Sequence, residues 1–298
     1  MRELYFTVEP GYQGIRLKSF LRNYCAVSAR LMAKLKRQKM GITVNGRHAI
    51  VTDTLCQGDR VGLRLPRDNK LPQGAELPFP VVYEDRDLLV VNKPAQMPMY
   101  PCPGHDCDSL SNAFSHYCAV AGEQYSFRPV YRLDKDTTGL VLLAKHSYAA
   151  SILAGNVYKT YFAICEGVLH GSGAIERPIG LKEGSKLQRT VRPDGIYALT
   201  RWRSLFAGNG FSLLALRLKT GRTHQIRVHL SSCGHPLAGD DFYGGRLSFL
   251  KRQALHCGEI RFVHPVTKQK VRFVHCLPDD MKNLFVFMQS SLPTNKIE

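Results

Sequence analysis

From Phe79 onward the chain returns repeatedly to short runs that alternate apolar and polar residues or stay apolar throughout, and few of its segments show helical spacing. VVYEDRDLLVVNKP reads as a hairpin, TGLVLLAK as a buried strand and VYKTYFAICEG as an alternating one. YALTRWRSLF and FSLLALRLKT add two more strands, and ALHCGEIRFVH with KVRFVHCL forms a last hairpin. Helical spacing is confined to DSLSNAFSHYCAV, opened by an Asp or Ser cap, to SYAASILAG, to RTHQIRVHLSSCG closed by Gly234, and to a C-terminal helix begun by Pro278-Asp279-Asp280. Many strands joined by short turns and few helices predict an α+β domain over 79–290, with a mixed, mainly antiparallel sheet and flanking helices. The last residues, 291–298, read as a frayed tail.

The first quarter of the chain differs. Residues 1–67 hold 13 Lys and Arg against four acids, a net +9 of the chain's formal +17. Leu17, Phe20, Leu21 and Tyr24 recur at helical spacing, and Ser28 stands where an N-cap would open a second helix. On that helix Leu31 and Leu35 make an apolar stripe, while Arg30, Lys34 and Arg37 follow one another on another face, a spacing suited to tracking phosphates. Ile42 to Val44 then leads into Asn45-Gly46, a two-residue hairpin signal, and a further strand runs from about Arg60 to Leu65. This order resembles the αL-type RNA-binding module of a small-subunit ribosomal protein and of many RNA-modifying enzymes. The expectation is a small N-terminal α/β RNA-binding module over 1–66, with Arg30, Lys34 and Arg37 as its phosphate contacts. Residues 67–78, with two prolines and no periodicity, read as a linker.

A net charge of +17 points to a polyanionic partner. No apolar run approaches the ~20 residues a membrane span needs, so neither a signal peptide nor a membrane partner is expected. Nine scattered cysteines, an odd number, fit reduced thiols and a cytoplasmic location. Cys102, His105 and Cys107 in PCPGHDC have no second pair at a zinc-site spacing, so they read as a polar loop and no metal is expected. Neither a phosphate-binding G-x-x-x-x-G-K-[ST] nor a G-x-G-x-x-G after a strand is present, which argues against a nucleotide cofactor.

The densest chemistry lies in RPVYRLDKDTTGLVLLAK, residues 128–145. Asp134 precedes a Thr-Thr-Gly turn that feeds a buried strand, with Arg132 before it and Lys135 after it. Flanking cations keep a carboxylate ionised, as a nucleophile or base requires. The same residue could equally satisfy backbone amides of its own turn.

RLDKDTTGLVLLAK resembles the RLD-x-x-T-S-G-L-L-L-A-K signature of RluA-type pseudouridine synthases. Further blocks follow in the family's order: LLVVNKPAQMPMYP with Lys93 and Pro94, VYKTYFAICEG, LKTGRTHQIRVHL, GHPLAGDDFYG and ALHCGEIRFVHPVT. The resemblance covers residues 79 to 275. It implies the pseudouridine synthase fold and an isomerisation of uridine in RNA without cofactor. The bond from ribose carbon-1 to the ring nitrogen breaks, the uracil turns, and ring carbon-5 takes its place. It further implies that Asp134 is the catalytic carboxylate, acting on the sugar or the ring or assisting elimination. By the same resemblance Tyr161 packs against the uracil, Arg222 pairs with Asp134, and Arg132 helps expel the target base. Lys159 and Arg227 in the same blocks are assigned to RNA contact. His224 and His229, on an amphipathic helix, are read as packing or hydrogen-bonding residues. Tyr100, Tyr131 and Thr138 depart from the family's usual residues at positions that bear on substrate choice. The appended module points to large-subunit ribosomal RNA, with transfer RNA as the alternative and a monomer as the expected state. Two rival readings are a catalytically silent RNA-binding or ribosome-assembly factor, and a metal hydrolase in which His105, His116 or His264 would converge on Asp134.

Overall fold

The computed structural model describes residues 2–66 and 71–290. Residues 67–70 of the expected linker and the expected tail, 291–298, lie outside the described residues.

The N-terminal part is a small α/β module. β1 (Glu3–Thr7) is followed by a helical turn α1 (Leu17–Ser19) that widens into a π-turn over Phe20–Tyr24, and then by α2 (Ala29–Lys36). Ser28 caps α2, its hydroxyl accepting the Leu31 amide at 3.2 Å. β2 (Ile42–Val44) turns through Asn45 and Gly46, both at positive φ, into β3 (Arg47–His48), as a two-residue hairpin with these residues demands. β4 (Arg60–Arg64) completes an antiparallel sheet of order β1-β4-β2-β3. Leu17, Phe20, Leu21, Leu31 and Leu35 from the helices meet Leu4, Ile42, Val61 and Leu63 from the sheet in one core.

The larger part is built on a nine-stranded sheet. Its strands are β5 (Val81–Glu84), β6 (Leu88–Lys93), β7 (Thr138–Ala144), β8 (Tyr158–Glu166), β9 (Ser172–Glu176), β12 (Leu199–Gly208), β13 (Phe211–Leu218), β14 (Leu255–Val263) and β15 (Lys270–Val274). A separate two-stranded hairpin, β10 (Ile179–Leu181) and β11 (Arg189–Val191), interrupts them in chain order. The sheet order is β5-β6-β7-β14-β8-β13-β12-β9, with β15 beside β14. Every pairing is antiparallel except β7 with β14, which run parallel over His256 and Cys257. The expected mainly antiparallel α+β sheet is thus observed. Helices α3 (Leu110–Val120), α4 (Ser147–Leu153), α5 (Gln225–Ser231) and α6 (Asp279–Gln289) flank it, and Ser109 opens α3 with a reciprocal capping box to Asn112.

β6 and β7 lie in the interior of the sheet, and every residue of β7 is buried. That explains why TGLVLLA lacks alternation: an apolar run is what a strand covered on both faces needs. Each large aliphatic side chain buried there contributes roughly 1.5–3 kcal/mol. β7 also fixes the geometry that matters for chemistry, because the turn bearing Asp134 enters at its N-terminal end.

Candidate active site

Several side chains tie down the backbone on either side of Asp134. The fully buried Lys93, at the end of β6, donates to the carbonyls of Pro94 at 2.8 Å, Met97 at 2.8 Å and Lys135 at 2.7 Å. Its burial lowers the ammonium's pKa to about 7, against the pull of the nearby Asp136 and Asp134 carboxylates. Arg252 donates to the Asp136 carbonyl at 3.2 Å, and Gln253 reaches the Thr137 hydroxyl at 3.3 Å. The Thr138 hydroxyl lies 2.8 Å from Nδ1 of His256, whose pKa falls to about 4 through burial. The turn therefore carries Asp134 on a rigid frame, as a reacting carboxylate requires.

The Asp134 side chain is 29 % exposed and lies 3.8 Å from Nη1 of Arg227. It makes no side-chain hydrogen bond to any described residue. Arg227 projects from α5 into the interior, where Asp240 grips it at both ends: Nε to Oδ2 and Nη2 to Oδ1, each 2.7 Å. Asp240 is itself buried, and the Arg227 guanidinium stacks on Tyr243 with 4.8 Å to the ring centre. Burial works against the Arg227 charge, but the hydrogen bonds and charge of Asp240, with the charge of Asp134, raise its pKa further. The fork is thus held in one orientation with its remaining edge toward Asp134.

Tyr161, on β8, is buried across from Cys257 of β14. Burial raises its phenol pKa well above the usual range, and the charges of Cys257 and Asp134 add to this, so it is a neutral aromatic wall beside the carboxylate. Tyr131 donates from its hydroxyl to the Leu140 carbonyl at 2.9 Å, and the Lys159 ammonium sits 4.8 Å from the Tyr131 ring centre. Lys159 and Tyr161, two residues apart on one strand, share a face. The whole arrangement is a partly exposed carboxylate, one oriented guanidinium and an aromatic wall.

Residues 87–232 match a family model described as RNA pseudouridylate synthase. YjbO of Bacillus subtilis, named as an uncharacterized RNA pseudouridine synthase, is 37% identical over 266 residues, covering 87% of this chain and 94% of that protein. The chain belongs to the RNA pseudouridylate synthase family. The ribosomal large subunit pseudouridine synthase D of Vibrio vulnificus is 34% identical over 303 residues, covering 95% of this chain and 93% of that one. Among solved structures, human RNA pseudouridylate synthase domain containing 1 superposes with a TM-score of 0.53 at 26% identity, covering 74% of this chain and 98% of that one.

For a pseudouridine synthase of this family two sequence assignments need correction. Arg222 does not pair with Asp134: it is exposed, and its Nε donates to the Tyr197 carbonyl at 3.1 Å. The reason is local. α5 starts only at Gln225, after His224 in a left-handed conformation (φ 58°), so Arg222 stays in the outer turn, while residue 227 lies on the inward side of the helix. Arg227, assigned to RNA contact, is instead the arginine at the carboxylate, its Nε and Nη2 held by Asp240 and its Nη1 toward Asp134. Lys159, assigned to RNA contact, lies half-buried over Tyr131 and donates to the Val157 carbonyl at 3.0 Å, a position that leaves that assignment standing as an expectation. Burial lowers its pKa.

Arg132 is exposed two residues before Asp134. His229 is buried between the Thr200 hydroxyl at 2.8 Å and the Arg177 carbonyl at 3.0 Å, a packing residue. His224 bonds the Tyr243 hydroxyl at 2.8 Å through Nδ1. His105 and His264 each pair with a different carboxylate, Asp108 and Asp85, and so do not converge on Asp134. Asp240, Tyr243, Arg252 and Gln253 were missed. Only Asp240 had a signal, the acidic pair in GDDFYG, and nothing in the spacing separates it from Asp241.

Proposed function

We propose that this chain converts specific uridines of large-subunit ribosomal RNA to pseudouridine, with Asp134 as the catalytic residue. The observation that carries the reading is a partly exposed carboxylate on a tied-down turn, 3.8 Å from a clamped guanidinium and near enough to the buried Tyr161 ring for its charge to act on the phenol. Support for the substrate comes from relatives such as the Vibrio vulnificus protein, whose name specifies the ribosomal large subunit. Transfer RNA is the alternative substrate.

The target nucleotide turns out of its stack so that the uracil lies against Tyr161, whose ring replaces lost stacking at ~1–3 kcal/mol. Asp134 then acts on the detaching nucleoside while Arg227 stabilises its negative charge. The C1′–N1 bond breaks, the uracil rotates, C1′ bonds to C5, and the proton from C5 is lost as N1 gains one, so atoms and electrons balance without an external reactant. Arg132, exposed near the mouth, fills the space the base leaves. On the N-terminal module, the exposed Arg30 and Arg37 and the partly exposed Lys34 contact phosphates along α2. The nine free thiols, none in a disulfide, fit work in the cytoplasm.

The test uses total RNA from cells lacking the gene, mapped for pseudouridine after incubation with the protein. Wild type should restore defined sites in large-subunit RNA, and Asp134→Asn should restore none while binding the same RNA within about threefold. Product formation by the variant would refute the role of Asp134, and modification confined to transfer RNA would refute the substrate. Replacing Arg30 and Arg37 together by Gln should reduce the slope of log affinity against log salt by roughly 0.7–0.9 per charge removed.

A further inference from the structure

The hairpin of β10 and β11 stands against the pocket and brings a cation that neither the carboxylate pair nor the aromatic wall uses. Arg189, first residue of β11, is fixed through its backbone: its amide donates to the Tyr243 hydroxyl at 3.0 Å. The preceding residue, Gln188, donates from its side chain to the Phe242 carbonyl at 2.8 Å. Tyr243 is the same ring on which Arg227 stacks, and its hydroxyl also meets His224. The Arg189 side chain lies close enough to His224 for its charge to help lower that imidazole's pKa, where burial is the main cause. Arg189 therefore stands one ring away from the Asp134–Arg227 pair.

Its donors are unspent. Nε of Arg189 is buried and has no hydrogen-bond partner, and the guanidinium forms no ion pair with any described residue. The two acids of the site are already engaged by another arginine: Asp240 gives both oxygens to Arg227, and Asp134 faces Nη1 of that same residue. Arg132 is exposed, so water satisfies its donors, but the buried Nε of Arg189 has no partner among the described residues. A buried donor left unmade is costly, and a half-buried guanidinium whose donors have no protein partner fits an acceptor that presents two oxygens, a turn of its unpinned side chain bringing the buried Nε to that acceptor. In an RNA substrate that group is a phosphodiester.

We propose that Arg189 binds a phosphate flanking the target uridine, holding the flipped nucleotide by its backbone while Asp134 and Tyr161 engage the base. The inference rests on the reading of Asp134 and Tyr161 as the place of the flipped uridine. Arg189 touches Tyr243 and lies by His224, on the α5 side of the pocket, whereas the neutral uracil ring is assigned to the Tyr161 wall of β8. As a binding residue, Arg189 should set the concentration at which RNA is used and not the rate of the bound complex.

Pseudouridine formation is measured as a function of salt on total RNA from cells lacking the gene. Arg189→Gln should raise KM about tenfold, leave kcat within about twofold, and reduce the log–log salt slope of KM by about one. Arg189→Lys should recover most of the slope and only part of the affinity, because it keeps the charge and loses the fork. A methylphosphonate beside the target uridine, which removes one phosphate charge without altering the protein, should weaken wild type and leave Arg189→Gln unaffected. The proposal is overturned if Arg189→Gln keeps the wild-type slope and KM, if it lowers kcat alone, or if methylphosphonates placed in turn at both flanking positions each cost wild type nothing. Failure of the underlying reading looks different: Asp134→Asn would still form product, whatever Arg189 does.

Discussion

At Asp134 the neighbours matter more than the residue itself. Arg227 is committed to Asp240 through two short bonds and only then faces Asp134, so Asp240 decides where the guanidinium points. Removing Asp240 leaves a buried, unpaired arginine, and breaking a pair of this kind costs roughly 3–5 kcal/mol. Asp240→Ala should therefore lower the urea midpoint sharply. Asp240→Asn, which keeps the shape and one acceptor but loses the charge and sets an amide N–H against the guanidinium, should lower the midpoint less than Asp240→Ala yet lose at least tenfold in kcat, and an unchanged kcat would show that the clamp does not position Arg227. The sequence exposed Asp134 and Tyr161 because both sit in blocks with distinctive neighbours. It misplaced the arginine because the choice between 222 and 227 depends on where α5 starts. That start is set by the left-handed backbone of His224, which a non-glycine residue rarely adopts and spacing cannot forecast.

Among the elements, the strands with strong patterning were legible and the short polar ones were not. β6, β7, β8, β13 and the β14–β15 hairpin follow from apolar or alternating runs, and the β2–β3 turn follows from Asn45-Gly46. β10 and β11, three residues each, are too short to show a period, and they carry Arg189. β1 was missed because only Leu4 of its five residues is buried. The parallel contact of β7 with β14 has no local signature at all. It depends on Gly139, at φ 116°, where an added Cβ would lie 2.4 Å from the Cys257 carbonyl oxygen and 2.6 Å from its amide nitrogen. Both obstacles are backbone and cannot swing aside. Gly139→Ala should then destabilise by about 3 kcal/mol or more, combining overpacking with strain, and should lower Tm by several degrees. A variant with wild-type Tm would mean that β7 and β14 can separate without cost.

On the scale of the whole molecule, the charge imbalance marked the N-terminal module as distinct, but nothing in the sequence showed how it attaches. Arg2 forms a bidentate pair with Asp87, at 2.7 and 3.0 Å, and His146 bonds the same carboxylate at 2.9 Å. Burial alone would raise the Asp87 pKa, yet the hydrogen bonds from His146 and Arg2 prevail and hold it at about 2. A carboxyl depressed in the folded state adds stability above its unfolded pKa, near 3.9, and loses it as pH falls through the folded value. The contribution, on the order of 2 kcal/mol, should disappear between about pH 4 and pH 2. Denaturant titrations across that range should show the loss in wild type, and an Asp87→Asn variant should lack that component of the slope; parallel acid profiles would disprove the assignment.

Tyr148 belongs to α4 of the larger part, yet its ring is buried in the core of the N-terminal module and its hydroxyl reaches the Cys25 carbonyl at 2.9 Å. Cutting the chain after residue 66 would not free a finished body but would bare a socket, leaving this ring without its cover. The two parts have a common keystone, so the grip on RNA at α2 and the chemistry at Asp134 are carried by one continuous framework and not by beads on a string.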